Sequence, residues 1–304
     1  MMPQRQAGSP LLSVLRAIMN EHQREPMLSS AASPFLRHIE RCRNVTLPAG
    51  RIPLLHDGLS IGLVDPACLG WLAAPAEMGL LEIGDGHITL PDGQGLSQIS
   101  HMMAEQERYV PFHEWFDVRS PDGTIIGQID RALIPVFGVE ASGVHMNGLV
   151  QKKTGLHLWV ARRSPQKRLD PGKLDHLVAG GMSSGLTPEE TLVKEAGEEA
   201  SIPTALARQA RHASTLHYAM TRPEGLRRDR LYCYDLMLPE DFVPQANDGE
   251  VESFHLMPVE NVFQLVRDTD DFKFNVNLVL LDLFLRLGMF DKQDSLILAE
   301  TLHG

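Results

Sequence analysis

The chain has 304 residues, 43% hydrophobic and 22% charged, which is apolar material enough for two cores of ordinary size. A formal net charge of −11 argues against binding nucleic acid or an anionic membrane surface, both of which call for a basic patch. Three dispersed cysteines, Cys42, Cys68 and Cys233, exclude a disulfide framework or a Cys/His zinc site, and no uninterrupted apolar run reaches the roughly 18 residues of a membrane span.

Residues 1–10 lack the apolar core of a signal peptide, so a cytoplasmic location is expected. Helical spacing of apolar side chains predicts helices at 13–22, 34–42 and 97–108, with short segments such as 62–66 and 81–91 punctuated by Gly and Pro. The turn-forming run Ser120-Pro121-Asp122-Gly123 marks a boundary. Residues 1–120 are therefore expected to form a smaller α+β domain and 121–304 a second domain. In the second, 143–151, 156–161, 230–238 and 251–257 predict strands, and 275–287 a largely buried helix. The mixed-charge stretch 222–230 reads as a solvated loop.

Charge is unevenly placed. Residues 152–173 hold seven bases and one acid, whereas 189–199 hold five glutamates and one base, Lys194. Thr187, Pro188 and Glu190 form a helix start: a hydroxyl N-cap, proline at the first helical position and a capping-box glutamate. In the helix that follows, Glu195, Glu198 and Glu199 fall at i, i+3 and i+4 and share a narrow arc. Three crowded acids repel one another unless a cation lies among them, and a hard divalent ion such as Mg²⁺ prefers oxygen ligands. A solvated acidic face is the competing reading of the same residues.

The segment resembles the Nudix box, in which a glycine is followed after five residues by Glu and after seven more by Arg-Glu-aliphatic-x-Glu-Glu-x-Gly-aliphatic. Gly180, Glu195, Glu198, Glu199 and Ile202 match in register, while Leu186, Lys194, Ala196 and Ser201 depart from it. The resemblance implies a Nudix α/β/α sandwich with a mixed sheet, preceded by the smaller α+β domain. It implies a metal-dependent hydrolase of a small-molecule diphosphate, with Mg²⁺ or Mn²⁺ held by the backbone at Gly180 and by Glu195, Glu198 and Glu199. A further acid from a later loop is implied; Glu250 is the first choice and Glu252 the second. Arg162, Arg163 and Lys173 are candidates for holding the diphosphate, because their cations pair well with phosphate oxygens. Trp159 reads as core, and His145 and His217 receive no role.

The stretches Trp159 to Ser164, Pro171 to Asp175, Val178 to Gly181, Tyr234 to Leu236 and Asp248 to Glu252 are similar to the Nudix branch associated with thiamine pyrophosphokinase. That likeness implies thiamine diphosphate or a damaged analogue as substrate, and a homodimer is compatible with it. Two other readings stay open: an isopentenyl-diphosphate isomerase-like enzyme, which requires a cysteine proton donor at the site, and a non-catalytic protein that binds a diphosphate ligand.

Overall fold

A computed structural model describes residues 28–247 and 249–304. The helix predicted at 13–22 lies outside the described residues. A 3-10 turn, Ser33–Phe35, leads into α1 (Leu36–Cys42). Next come β1 (Ile52–His56), β2 (Leu59–Val64), α2 (Ala73–Glu77), β3 (Glu82–Ile83), β4 (Ile88–Thr89) and α3 (Gly95–Glu105). The four strands pair in the order β2-β1-β4-β3. A two-stranded hairpin follows, β5 (Trp115–Arg119) with β6 (Ile125–Asp130), and then the single turn α4 (Ile134–Phe137).

The run Ser120 to Gly123 is the tip of this hairpin and not a linker. The first hydrophobic core continues past it, packing Leu54, Ile88 and Ile99 with Phe116, Ile129, Phe137 and Val139. Conversely, Ala32, Phe35, Ile39 and Cys42 pack into the second half of the chain, and Ser29 donates to Asp294 through its backbone N–H at 2.8 Å. Where the first unit's core ends is decided by long-range packing, which a local turn signal does not report.

The second half holds β7 (Glu140–Lys152), β8 (Gly155–Arg163), β9 (Leu174–His176), β10 (Val178–Gly181), α5 (Pro188–Ala200) and α6 (Thr204–Ala207). They are followed by β11 (Arg211–Arg222), β12 (Gly225–Met237), β13 (Val251–Pro258), α7 (Val259–Asp268), α8 (Val276–Arg286) and α9 (Lys292–His303). The mixed sheet runs β11-β12-β7-β8-β13, with β10 on β7 and β9 on β8; only β12 and β7 are parallel within it. One face packs Val144, Met146, Val150 and Trp159 against Leu192, Ala196 and Ala200 of α5. The other face packs Leu149, Leu158 and Val160 against α7, α8, α9 and α1. Two helical layers thus cover one sheet, an α/β/α sandwich.

The predicted strands are present and longer than expected, and 275–287 is α8, buried from Val276 to Phe284. The stretch 222–230 is corrected: it forms the turn and opening of the β11–β12 hairpin. Asp229 is buried there, accepting from Arg227 Nη2 at 3.0 Å and from the Tyr218 hydroxyl, so its charges are paired internally.

Helix α5 starts where its caps predict. Thr187 Oγ1 accepts from the Glu190 N–H at 3.2 Å, and Glu190 Oε2 accepts from the Thr187 N–H at 2.9 Å. Replacing Thr187 with alanine orphans one of these donors and should cost about 1 kcal/mol, read as a lowered urea midpoint at unchanged slope.

Candidate active site

Gly180 on β10 sits opposite Val144 of β7 and directly beneath α5. A Cβ at Gly180 would lie 2.3 Å from Glu195 Cγ and 2.6 Å from its Oε2, so the Glu195 carboxylate occupies the space a side chain would fill. Gly180→Ala should displace that flexible carboxylate with little damage to the fold. The expected result is a melting temperature within a few degrees of wild type and turnover reduced by tenfold or more, measured by steady-state kinetics.

Glu199 is buried, 7% exposed, and accepts from the Ala179 N–H at 2.9 Å. Burial pushes its pKa well above the usual carboxylate range; the Ala179 N–H opposes the shift, and the charges of Glu195, Asp175 and Glu250 add to it. Burial likewise raises Glu195, with Lys194 opposing and Glu198 and Glu114 reinforcing. Glu198 is exposed, and Lys194 Nζ bridges it (2.7 Å) to Glu195 (3.1 Å). Lysine at this position therefore still ties two acids together, as a point charge and not a fork.

A small cavity brings Glu199 together with Ala179, Ala161, Arg163, Lys167, Asp175, His176, Glu250 and Val251. Glu250, just before β13, ion-pairs with Lys167; although burial opposes ionisation, that cation holds its carboxyl below the ordinary value. Glu252 is exposed on β13 and does not line the cavity. The donors fit a divalent cation: a buried carboxylate with one N–H partner, further acids around it, and a glycine backbone open to close approach.

Of the three predicted phosphate-binding cations, only Arg163 reaches this cavity, and its guanidinium is already used. It donates to Asp175 Oδ2 at 2.6 Å, to the Asp170 carbonyl at 3.1 Å and to the Leu169 carbonyl at 2.8 Å. Arg163 is thus a buried brace for the 164–173 loop, a correction to its expected role. Arg162 is exposed and donates to the Gly172 carbonyl at 2.9 Å, and Lys173 Nζ donates to the Asp270 carbonyl. Lys167, which sequence reasoning passed over, is the lysine on the cavity wall.

His145, Asp175 and His176 form a second, buried group, with the two histidine Nδ1 atoms 3.0 Å apart. Their spacing could suit a metal, but both Asp175 oxygens are committed: Oδ1 to the His176 N–H, Oδ2 to Arg163 and, at 3.6 Å, to Lys273. A divalent ion would be a third cation against one carboxylate, so the group reads as a structural network. Burial pushes the His176 ring down to about 4 and His145 well below its ordinary value, leaving both neutral. Cys233 is fully buried in β12, with burial pushing its thiol up to about 12, and it is not a cavity wall; the isomerase reading loses its proton donor.

The Nudix domain description matches residues 143–277. Nudix hydrolase 24, chloroplastic, of Arabidopsis thaliana is 34% identical over 276 residues, which cover 87% of this chain and 75% of that protein. Nudix hydrolase 20, chloroplastic, from the same plant is 45% identical over 167 residues, 55% of this chain but only 45% of the relative's length. A crystal structure from Deinococcus radiodurans aligns with 55% of this chain and 97% of its own at 24% identity and a TM-score of 0.44. The chain belongs to the Nudix hydrolase family, and its sandwich is the Nudix fold.

Proposed function

We propose that this protein hydrolyses the diphosphate bond of a small molecule with the help of Mg²⁺ or Mn²⁺. The observation that carries the proposal is the buried Glu199, whose surroundings disfavour its charge unless a cation is supplied. Glu195, Glu198, Glu199 and the backbone carbonyl at Gly180 would hold the ion, with Glu250 completing the set. When bound, the ion supplies charge neutralisation on the phosphoryl oxygens and a more acidic water.

The protein's own groups divide the remaining work. Glu195 rests on Gly180 with its pKa raised by burial, which suits it to accept the proton of an attacking water. Glu250 is held ionised by Lys167 and suits charge stabilisation better than proton transfer. Lys167 can exchange part of that pairing for a phosphate oxygen of the substrate. A thiamine-type diphosphate is the substrate we favour, because residues 159–164, 171–175 and 178–181 resemble that branch.

A panel of thiamine diphosphate, its oxidised analogues, nucleoside diphosphate sugars and dinucleotides, assayed with and without Mg²⁺ or Mn²⁺, tests the reading. Metal-dependent release of a monophosphate from at least one of them is expected. Tight ligand binding without turnover under every metal condition would favour a binding protein instead.

A further inference from the structure

The turn that joins Gly180 to α5 is held from outside residues 143–277, the span that matches the Nudix domain. Its residues, Met182 to Leu186, carry no charge, and Leu186 stands where the Nudix box has glutamate. Two carboxylates reach the turn from the β5–β6 hairpin and the residue before it. Asp117 Oδ1 accepts from Ser184 Oγ at 2.6 Å and its Oδ2 from the Gly185 N–H at 3.3 Å, while Glu114 Oε1 accepts from Ser183 Oγ at 3.2 Å. The Trp115 carbonyl accepts from the Ser184 N–H at 2.7 Å, and Gln128 Nε2 donates to Ser184 Oγ at 2.5 Å.

Both acids are themselves held in place. The Asp117 side chain is 5% exposed with Arg119 Nη2 3.2 Å from its Oδ2, and Glu114 pairs with Arg131 at 2.7 Å. Buried Phe116 lies so close to Gly181 that a Cβ there would come within 2.6 Å of the ring, so the hairpin presses on the residue next to Gly180. Strand β7 takes the first residue of the turn: the Met182 N–H donates to the Ser142 carbonyl at 2.9 Å. Helix α5 packs on the sheet through Leu192, Ala196 and Ala200, and apolar contact of this kind is non-directional. A directional bond from the Ala179 N–H to Glu199 ties the far end of the helix to β10. At the near end, the directional ties run to the hairpin.

We propose that Asp117 and Ser184 are positioning residues for metal binding and turnover: their hydrogen bond fixes the 182–186 turn from the preceding unit and so keeps Glu195 in register with Gly180. Loosening the turn frees the start of α5 and the Gly181 backbone together, and a misplacement of about 1 Å at a reacting centre is enough to cost on the order of 100-fold in rate. Neither side chain lines the cavity, so the effect falls on the metal and on turnover and not on substrate affinity. The role of the preceding unit is thus to hold the turn that sets glycine and acids against each other. This inference rests on the proposed metal-dependent hydrolysis and deepens it.

The test uses the full chain: Mn²⁺ alone is titrated into metal-free protein by calorimetry, and kcat and KM are measured with whichever panel compound is hydrolysed. Ser184→Ala should weaken Mn²⁺ binding about tenfold and lower kcat about tenfold, with KM within about twofold of wild type, the size typical of contacts that orient metal ligands. Its metal-free melting temperature should stay within a few degrees of wild type, because Ser184 is only half-buried. Ser184→Thr, which keeps the hydroxyl, should restore both the affinity and kcat. Asp117→Ala should give losses at least as large, and adding Ser184→Ala to it should lower neither value further, because the bond is already gone. Wild-type Mn²⁺ affinity and kcat in Ser184→Ala, or multiplied losses in the double variant, would overturn the proposal while leaving hydrolysis intact. A wild-type protein that neither binds Mn²⁺ nor hydrolyses any panel compound would instead overturn the reading beneath it.

Discussion

Glu199→Gln is expected to lower turnover on the order of 100-fold or more and, in metal-free protein at neutral pH, to raise the melting temperature. Glutamine keeps an oxygen for the Ala179 N–H, 2.9 Å away in the wild type, but removes a buried charge that Glu195, Asp175 and Glu250 all oppose. The linkage has a definite sign. A glutamate whose folded pKa lies above its unfolded value of about 4.3 stabilises the fold fully only below that value, and the contribution is lost as pH rises through the folded pKa. Relative to the glutamine variant, metal-free wild type should therefore lose stability as pH rises above about 4.3, and Mg²⁺ or Mn²⁺ should restore it in proportion to RT ln(1 + [L]/Kd). The glutamine variant should lack this part of the pH dependence and the metal-induced increase. Calorimetry across pH 4–8 with and without metal checks both, and an undiminished metal-induced increase in the variant would remove Glu199 from the site.

The parts of this site that were legible in the sequence are those that local geometry determines. The caps of α5 and the i, i+3, i+4 spacing of Glu195, Glu198 and Glu199 depend on a dozen consecutive residues, and they appear as read. Gly180 was legible through its distance from those acids, and its reason is steric: Glu195 fills the place of its side chain. Glu250, singled out through the turn that ends at Gly249, whose φ of +78° glycine tolerates, lines the cavity beside Glu199. The misassigned residues are those whose partners come from elsewhere in the fold. Arg163 and Lys173 look like free cations in a basic stretch, yet Asp175 and backbone carbonyls absorb them. Arg227 and Asp229 look like loop charges until Tyr218 on the neighbouring strand closes around them. His145 and His176 lie 31 residues apart on strands joined only by the sheet, so no spacing rule could pair them. The contact of Arg168 with the Phe112 ring was invisible for the same reason.

Asp175→Asn is expected to destabilise the protein by about 3–5 kcal/mol, because it removes one partner from a buried group and leaves two cations behind. Arg163 Nη1 lies 2.6 Å and Lys273 Nζ 3.6 Å from the same Asp175 oxygen, and Asp175 is 5% exposed. An amide oxygen could still accept from one of them, but the charge that offsets both would be gone. Burial alone would raise the Asp175 pKa; Lys273 and then Arg163 outweigh it and hold the carboxyl well below the ordinary value. The sign is therefore opposite to that of Glu199. Stability from Asp175 is fully present above its unfolded pKa of about 3.9 and is lost as pH falls toward the folded value. In metal-free wild type the Asp175 contribution is thus lost on the acid side and the Glu199 contribution on the neutral side, while the buried neutral His145 and His176 add their own loss as pH falls below about 6.5. Asp175→Asn should flatten the acid limb, and Glu199→Gln the neutral one. Urea denaturation of both variants from pH 3 to pH 8 separates the two effects. An acid limb unchanged in Asp175→Asn would show that the ionised Asp175, paired with Arg163 and Lys273, is not what the acid limb reports.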